Sequence, residues 1–92
     1  MHDWTRPPDH HFDLHGQSVV EALGNVERYL TSQAGARRGG VVRLITGRGR
    51  SGGGAPIRTR VGSLLRRWRD EGRVVRDFVL EPGEGSFLVR LR

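Results

Sequence analysis

The stretch "VVRLITGRG", residues 41–49, decides how this chain folds. Its first six residues are β-branched or aliphatic apart from Arg43. A run of that kind, stopped by Gly47, suits a central strand covered by helices, because a half-exposed strand would alternate apolar with polar. A covered strand needs helices beside it, and the sequence offers one on each side.

Upstream lies "SVVEALGNVERYL", residues 18–30. Ser18 and Glu21 have the S-x-x-E spacing of a capping box, and Val19, Leu23, Val26 and Leu30 form one helical stripe. This predicts a helix over about residues 18–35. Before it, "HFDLHG", residues 11–16, has the alternation of a short strand, with Phe12 and Leu14 on one face and His11, Asp13 and His15 on the other. Gly16 ends it. Residues 1–11 have two prolines and no periodicity and read as a tail, leaving residues 12–92 as the folded domain.

Downstream, "GRGRSGGGAP", residues 47–56, is too glycine-rich for regular structure, and Pro56 suits the first turn of a second helix. There Ile57, Val61, Leu64, Leu65 and Trp68 share a face, Arg58, Arg66, Arg67 and Arg69 lie largely off it, and Gly72 is the stop. "VVRDFVL" (74–80) and "SFLVRLR" (86–92) are strand-like and are joined by the turn-forming "EPGEG". The order is β-α-β-α-β-β. Two strand-helix-strand crossovers and a final hairpin predict an α/β chain of the two-layer α+β sandwich type. It has a mixed four-stranded sheet, two helices on one face, and an open polar face if Arg43 and Arg90 point outward there.

Ninety-two residues make one small domain, which excludes a two-domain enzyme with a large buried pocket. Without cysteine there is neither a disulfide framework nor a thiolate metal site. No apolar run approaches a membrane span and the N-terminus lacks the pattern of a signal peptide, so a cytoplasmic location with no membrane partner is the expectation. All sixteen basic residues are arginine, and the charge is lopsided. Residues 1–40 hold four Arg and five Asp or Glu, against twelve Arg and five Asp or Glu in residues 41–92. A basic half on a small domain favours a polyanionic partner, nucleic acid ahead of an anionic membrane.

Gly47, Gly49 and Gly52 happen to satisfy G-x-G-x-x-G between a strand and a helix. A dinucleotide site would need a second mononucleotide half, and a Walker loop would need a lysine, so no nucleotide cofactor is expected. A more general reading survives: glycines let backbone amides approach an anion, the following helix adds its positive end, and Arg48, Arg50 and Arg58 add charge, which suits a nucleic-acid backbone. The bland alternative is a floppy connector. The side chains of His11, Asp13 and His15 likewise admit three readings: acid-base chemistry, a metal site, or a solvated strand face.

"FDLHG" followed about thirty residues later by "ITGRG" resembles the Smr (small MutS-related) domain family, whose hallmarks are L-D-x-H-G on the first strand and [TH]-G-x-G after the second. Phe12 stands in the leading apolar position, and Thr46 where many members carry His. The resemblance implies a fold similar to the C-terminal domain of bacterial translation initiation factor three, and an endonuclease that nicks DNA or cleaves RNA. It implies that Asp13 and His15 take part in cleavage and that Gly47 and Gly49 belong to the loop that approaches the substrate backbone; with Thr46 beside them, and with Arg48, Arg50 and Arg58 from the charge reading, they make the candidate nucleic-acid-binding set. His10 and His11 inherit no role.

The leading expectation is therefore an endonuclease acting on structured RNA or DNA. RNA is modestly preferred because its 2′-hydroxyl is a built-in nucleophile, whereas DNA hydrolysis usually recruits Mg²⁺ or Mn²⁺. No cofactor is fixed, and a divalent metal stays open. The alternatives are a binding module without catalysis and, from fold analogy alone, a protein-interaction role associated with the ribosome or with repair machinery.

Overall fold

In a computed structural model, which describes residues 3–47 and 54–92, the chain forms β1 (His10–Asp13), α1 (Val19–Ala36), β2 (Val41–Ile45), α2 (Gly54–Asp70), β3 (Val75–Leu80) and β4 (Ser86–Leu91). β1 pairs parallel with β2, while β4 runs antiparallel to both β2 and β3, giving the sheet order β1-β2-β4-β3. The β1→β2 and β2→β3 crossovers advance across the sheet in the same direction. Two right-handed crossovers of that kind bring both helices to one face. The β3–β4 hairpin then folds β4 back into the gap between β2 and β3. The result is the mixed, two-layer α+β fold that the element order predicts.

Register decides which side chains make the core. Val42 lies opposite Val89 and Leu44 opposite Phe87, so these four share the helix-facing side, where all are buried. Ala22, Val26 and Leu30 of α1 and Ile57, Val61, Leu65 and Trp68 of α2 close over them. Each large aliphatic side chain so buried contributes about 1.5–3 kcal/mol. A Cβ at Gly62 would lie 3.4 Å from the Phe87 ring, so the glycine lets α2 sit close to β4. Ser18 accepts the Glu21 amide (3.1 Å) and the Glu21 carboxylate accepts the Ser18 amide (3.0 Å), which completes the predicted capping box. The Ser18 amide, helped by the Ser18 side chain, also holds the Glu21 carboxyl below the usual carboxylate range.

The other sheet face has, among the described residues, no helix over it. It carries His11 and Asp13 from β1, Arg43 and Ile45 from β2, Asp77 from β3, and Ser86, Leu88 and Arg90 from β4. Arg43 and Arg90 thus point to the open side as expected. Arg43 is bonded there bidentately to Glu81, at 2.7 and 3.0 Å. Among the described residues no helix is long and apolar enough to cross a membrane.

The first strand departs from its sequence reading. Pairing starts early, because Asp9 bonds β2 twice, its amide to the Val41 carbonyl (2.7 Å) and its carboxylate to the Val41 amide (3.0 Å). His10 and His11, read as tail or as strand edge, are therefore the first residues of β1. His10 faces the helices, with its Nδ1 3.0 Å from the Tyr29 hydroxyl.

Candidate functional site

β1 and β2 are parallel neighbours, so the loops that leave their C-terminal ends lie side by side, the arrangement in which open α/β sheets present ligand sites. The D-L-H-G segment builds its own turn there. The Asp13 carboxylate accepts the backbone amide of His15 (2.8 Å), Leu14 is fully buried and still bonds β2 through the Ile45 carbonyl (2.7 Å), and Gln17 donates to the Leu14 carbonyl (3.1 Å). Gly16 follows at φ +85, a conformation that favours glycine. His15 is left exposed at the tip.

This corrects the expected geometry. The strand ends at Asp13, so His15 is not its next outward-facing residue, and the three side chains do not form one evenly spaced row. His11 and Asp13 share the open face, whereas His15 sits on the turn. Asp13 fixes the position of His15 through the main chain. No hydrogen bond reaches its imidazole among the described residues.

The second half of the site begins at Thr46. This residue is buried, its amide donates to the Gly85 carbonyl (2.9 Å), and its hydroxyl lies 3.4 Å from the carbonyls of Gly47 and Gly85. Thr46 thus faces the backbone that shapes the loop. The Gly47 amide also donates to Gly85 (3.0 Å), and Gly47 adopts φ +82. A Cβ at Gly47 would lie 3.3 Å from Cδ2 of His15. The two motifs, about thirty residues apart in sequence, therefore meet, with the imidazole edge against the Gly47 backbone. Arg48, Gly49 and Arg50 lie outside the described residues, as does Gly52. Arg58, on the first turns of α2, donates to the Glu84 carbonyl (3.3 Å) of the β3–β4 turn.

That turn supplies parts of the site that sequence reasoning missed. The Gly85 carbonyl receives both loop amides, and the turn is braced by Glu81, which accepts from Arg43 and from the Ser86 hydroxyl (2.7 Å). The hydrogen bonds from Arg43 hold the Glu81 carboxyl below its ordinary range against the opposing effect of burial, and the same contact holds the Arg43 guanidinium above its own. "EPGEG" signals a turn, but nothing local to it reveals that its last carbonyl reaches β2.

Among the described residues, a concavity of about 440 Å³ lies at the opposite end of β2, among Arg6, Asp9, Arg37, Arg38 and Val41. Among the described residues no three His, Cys, Asp or Glu side chains come together to hold a metal ion. Asp13 and His15 are thus at most two ligands, and the Asp13 oxygen nearest the turn is already engaged by an amide.

The model of the Smr domain family matches residues 12–92, from the first strand to the last residue. The chain belongs to the Smr domain family. Smr domains are a nuclease-like, nucleic-acid-binding family, and nucleic acid is the partner class this membership supports. No curated protein and no solved structure matches the chain. In this Smr domain the two family motifs converge at the His15–Gly47 contact.

Proposed function

We propose that this Smr domain is an endonuclease that cleaves phosphodiester bonds in structured RNA. The observation that carries the reading is the contact between the exposed imidazole of His15 and the left-handed backbone at Gly47. It joins a group suited to proton transfer to a loop suited to holding a phosphate.

The chemistry follows from those roles. Neutral His15 takes the proton of a ribose 2′-hydroxyl, the 2′-oxygen attacks phosphorus, and the bond to the 5′-oxygen breaks. The leaving oxygen takes a proton from water, and His15 returns its own to solvent. The products are a 2′,3′-cyclic phosphate and a 5′-hydroxyl. Asp13 fixes the turn that presents the imidazole, Thr46 and Gly85 shape the loop start, and Gly47, Gly49, Arg48, Arg50 and Arg58 hold the charged phosphate. A minimal domain has little surface for reading bases, so selection is by shape, and a ribosomal or repair-associated partner would deliver the target.

One observation favours a second reading, a binding module without catalysis: no neighbour among the described residues fixes the tautomer of His15. The two are separated by incubating the protein with labelled single-stranded, duplex and hairpin RNA and DNA, with Mg²⁺, with Mn²⁺ and with chelator. Scission of hairpin RNA in chelator supports the endonuclease. Salt-sensitive binding with no scission under any condition supports the module.

A further inference from the structure

The α2 helix carries five arginines and one aspartate, far more charge than the site needs. Its buried stripe turns Arg60, Arg66 and Arg67 outward, and all three are exposed. Among the described residues, ion pairs tie Arg43 to Glu81 and Arg69 to Asp70, and none involves these three. Arg60 and Arg67 line a groove between α1 and α2 together with Ser63 and Leu64. Glu27 of α1 lines it too, without pairing either arginine.

The open face of the sheet, which would otherwise be the natural platform for a polymer, carries carboxylates among its arginines. Its arginines, Arg43 and Arg90, face three carboxylates, Asp13, Asp77 and Glu81, and Arg43 is already bonded to Glu81. A polyanion leaving the His15–Gly47 site therefore meets carboxylates and an arginine already paired to one of them across the sheet, and along α2 it meets arginines outside any ion pair. The axis is suitable as well, since α2 starts at the loop end of the molecule and runs away from it. Arg60 and Arg67 lie about 9 and about 20 Å along the helix from Gly54 at 1.5 Å per residue.

We infer that the outer side of α2, centred on Arg60, Arg66 and Arg67, is a second contact surface for the backbone of the bound RNA, extending its footprint from the loop along the helix. This rests on the proposed function for the identity of the polymer, but requires only binding, not cleavage. The RNA leaves the site over the helices, and the open sheet face stays free of it.

The test is binding of a fluorescein-labelled RNA hairpin to the full chain by anisotropy, between 50 and 200 mM salt. Arg60→Ala with Arg67→Ala places a better helix former at two exposed positions, so the fold is retained, as thermal unfolding verifies. Each lost phosphate contact lowers the slope of log K against log salt by about 0.7–0.9. The double variant should therefore lose about 1.4–1.8 from the slope, while Arg90→Ala leaves it unchanged. The slope reads binding alone, so failure of catalysis is told apart from failure of this surface. An unchanged slope in the double variant, or a fall confined to Arg90→Ala, overturns the inference. So does loss of binding to phosphatidylserine vesicles with RNA binding intact, which would assign the patch to a membrane. A wild-type protein that binds no RNA overturns this inference and the proposed function together.

Discussion

Replacing Gly47 by Ala tests the meeting of the two motifs more sharply than replacing either histidine or arginine. Gly47 sits at φ +82, and the new Cβ would stand 3.3 Å from Cδ2 of His15. Forcing an L-residue into the left-handed region costs about 1–2 kcal/mol. A domain of this size has a total stability of about 5–15 kcal/mol, so the variant still folds. Its melting temperature should fall by roughly 5–15 °C, at about 4–8 °C per kcal/mol. The contact adds a second effect, because the imidazole must give by a few tenths of an ångström, and catalytic geometry is sensitive on that scale. Gly39→Ala separates the two. Gly39 has φ +75, nothing within 4 Å of its would-be Cβ, and a position after α1, far from His15. Both variants should lose similar stability by thermal unfolding. Assayed well below both transitions, Gly47→Ala should lose most RNA cleavage and Gly39→Ala almost none. A Gly47→Ala protein that melts with wild type, or cleaves as well as Gly39→Ala, would refute the reasoning.

Other consequences are open to measurement. Ser18→Ala removes one half of the capping box and should cost about 1 kcal/mol, or about 4–8 °C in melting temperature; no change would show that α1 starts without that bond. Glu81→Gln weakens the brace under Gly85 and should cost about 1 kcal/mol near neutral pH, discounted because Arg43 is partly exposed. The same change alters acid stability. The Glu81 carboxyl is depressed in the folded state, so its contribution is present above the ordinary value of 4.5 and is lost as pH falls through the lower folded value. Glu81→Gln should therefore flatten part of the acid limb of a stability-against-pH curve, and an identical limb would show that the pair contributes nothing.

Most of the architecture was legible because it is written in local periodicities. The apolar run at 41–45, the capping box at Ser18 and the stripe from Ile57 to Trp68 each match an element of the structure. The order of the strands was not legible in the same way. It depends on β4 pairing with both β2 and β3, a non-local choice, although the nearly continuous burial of Phe87, Leu88 and Val89 is what a central strand requires. The start of β1 was missed because it is set by Asp9 reaching Val41, a contact across 32 residues that no pattern around His10 announces.

The site divides similarly. Aspartate, histidine and glycine in D-L-H-G are legible as a turn once the side chain of Asp13 is seen to accept an amide, but alternation alone extended the strand through His15. The proximity of His15 to Gly47 follows from parallel pairing of β1 with β2, which the crossover predicted. The supporting role of Gly85, Glu81 and Ser86 came from a turn whose sequence reports only that it bends.

In the proposed mechanism His15, held against Gly47, moves the proton that lets an RNA backbone break itself. The most direct measurement is the chemistry of the cut ends produced from a labelled RNA hairpin in chelator by wild-type protein and by His15→Ala. Wild type should give 2′,3′-cyclic phosphate and 5′-hydroxyl ends, and His15→Ala, which should still bind the hairpin with wild-type affinity, none above background. Equal cleavage by His15→Ala, or 5′-phosphate ends from wild type, would contradict it.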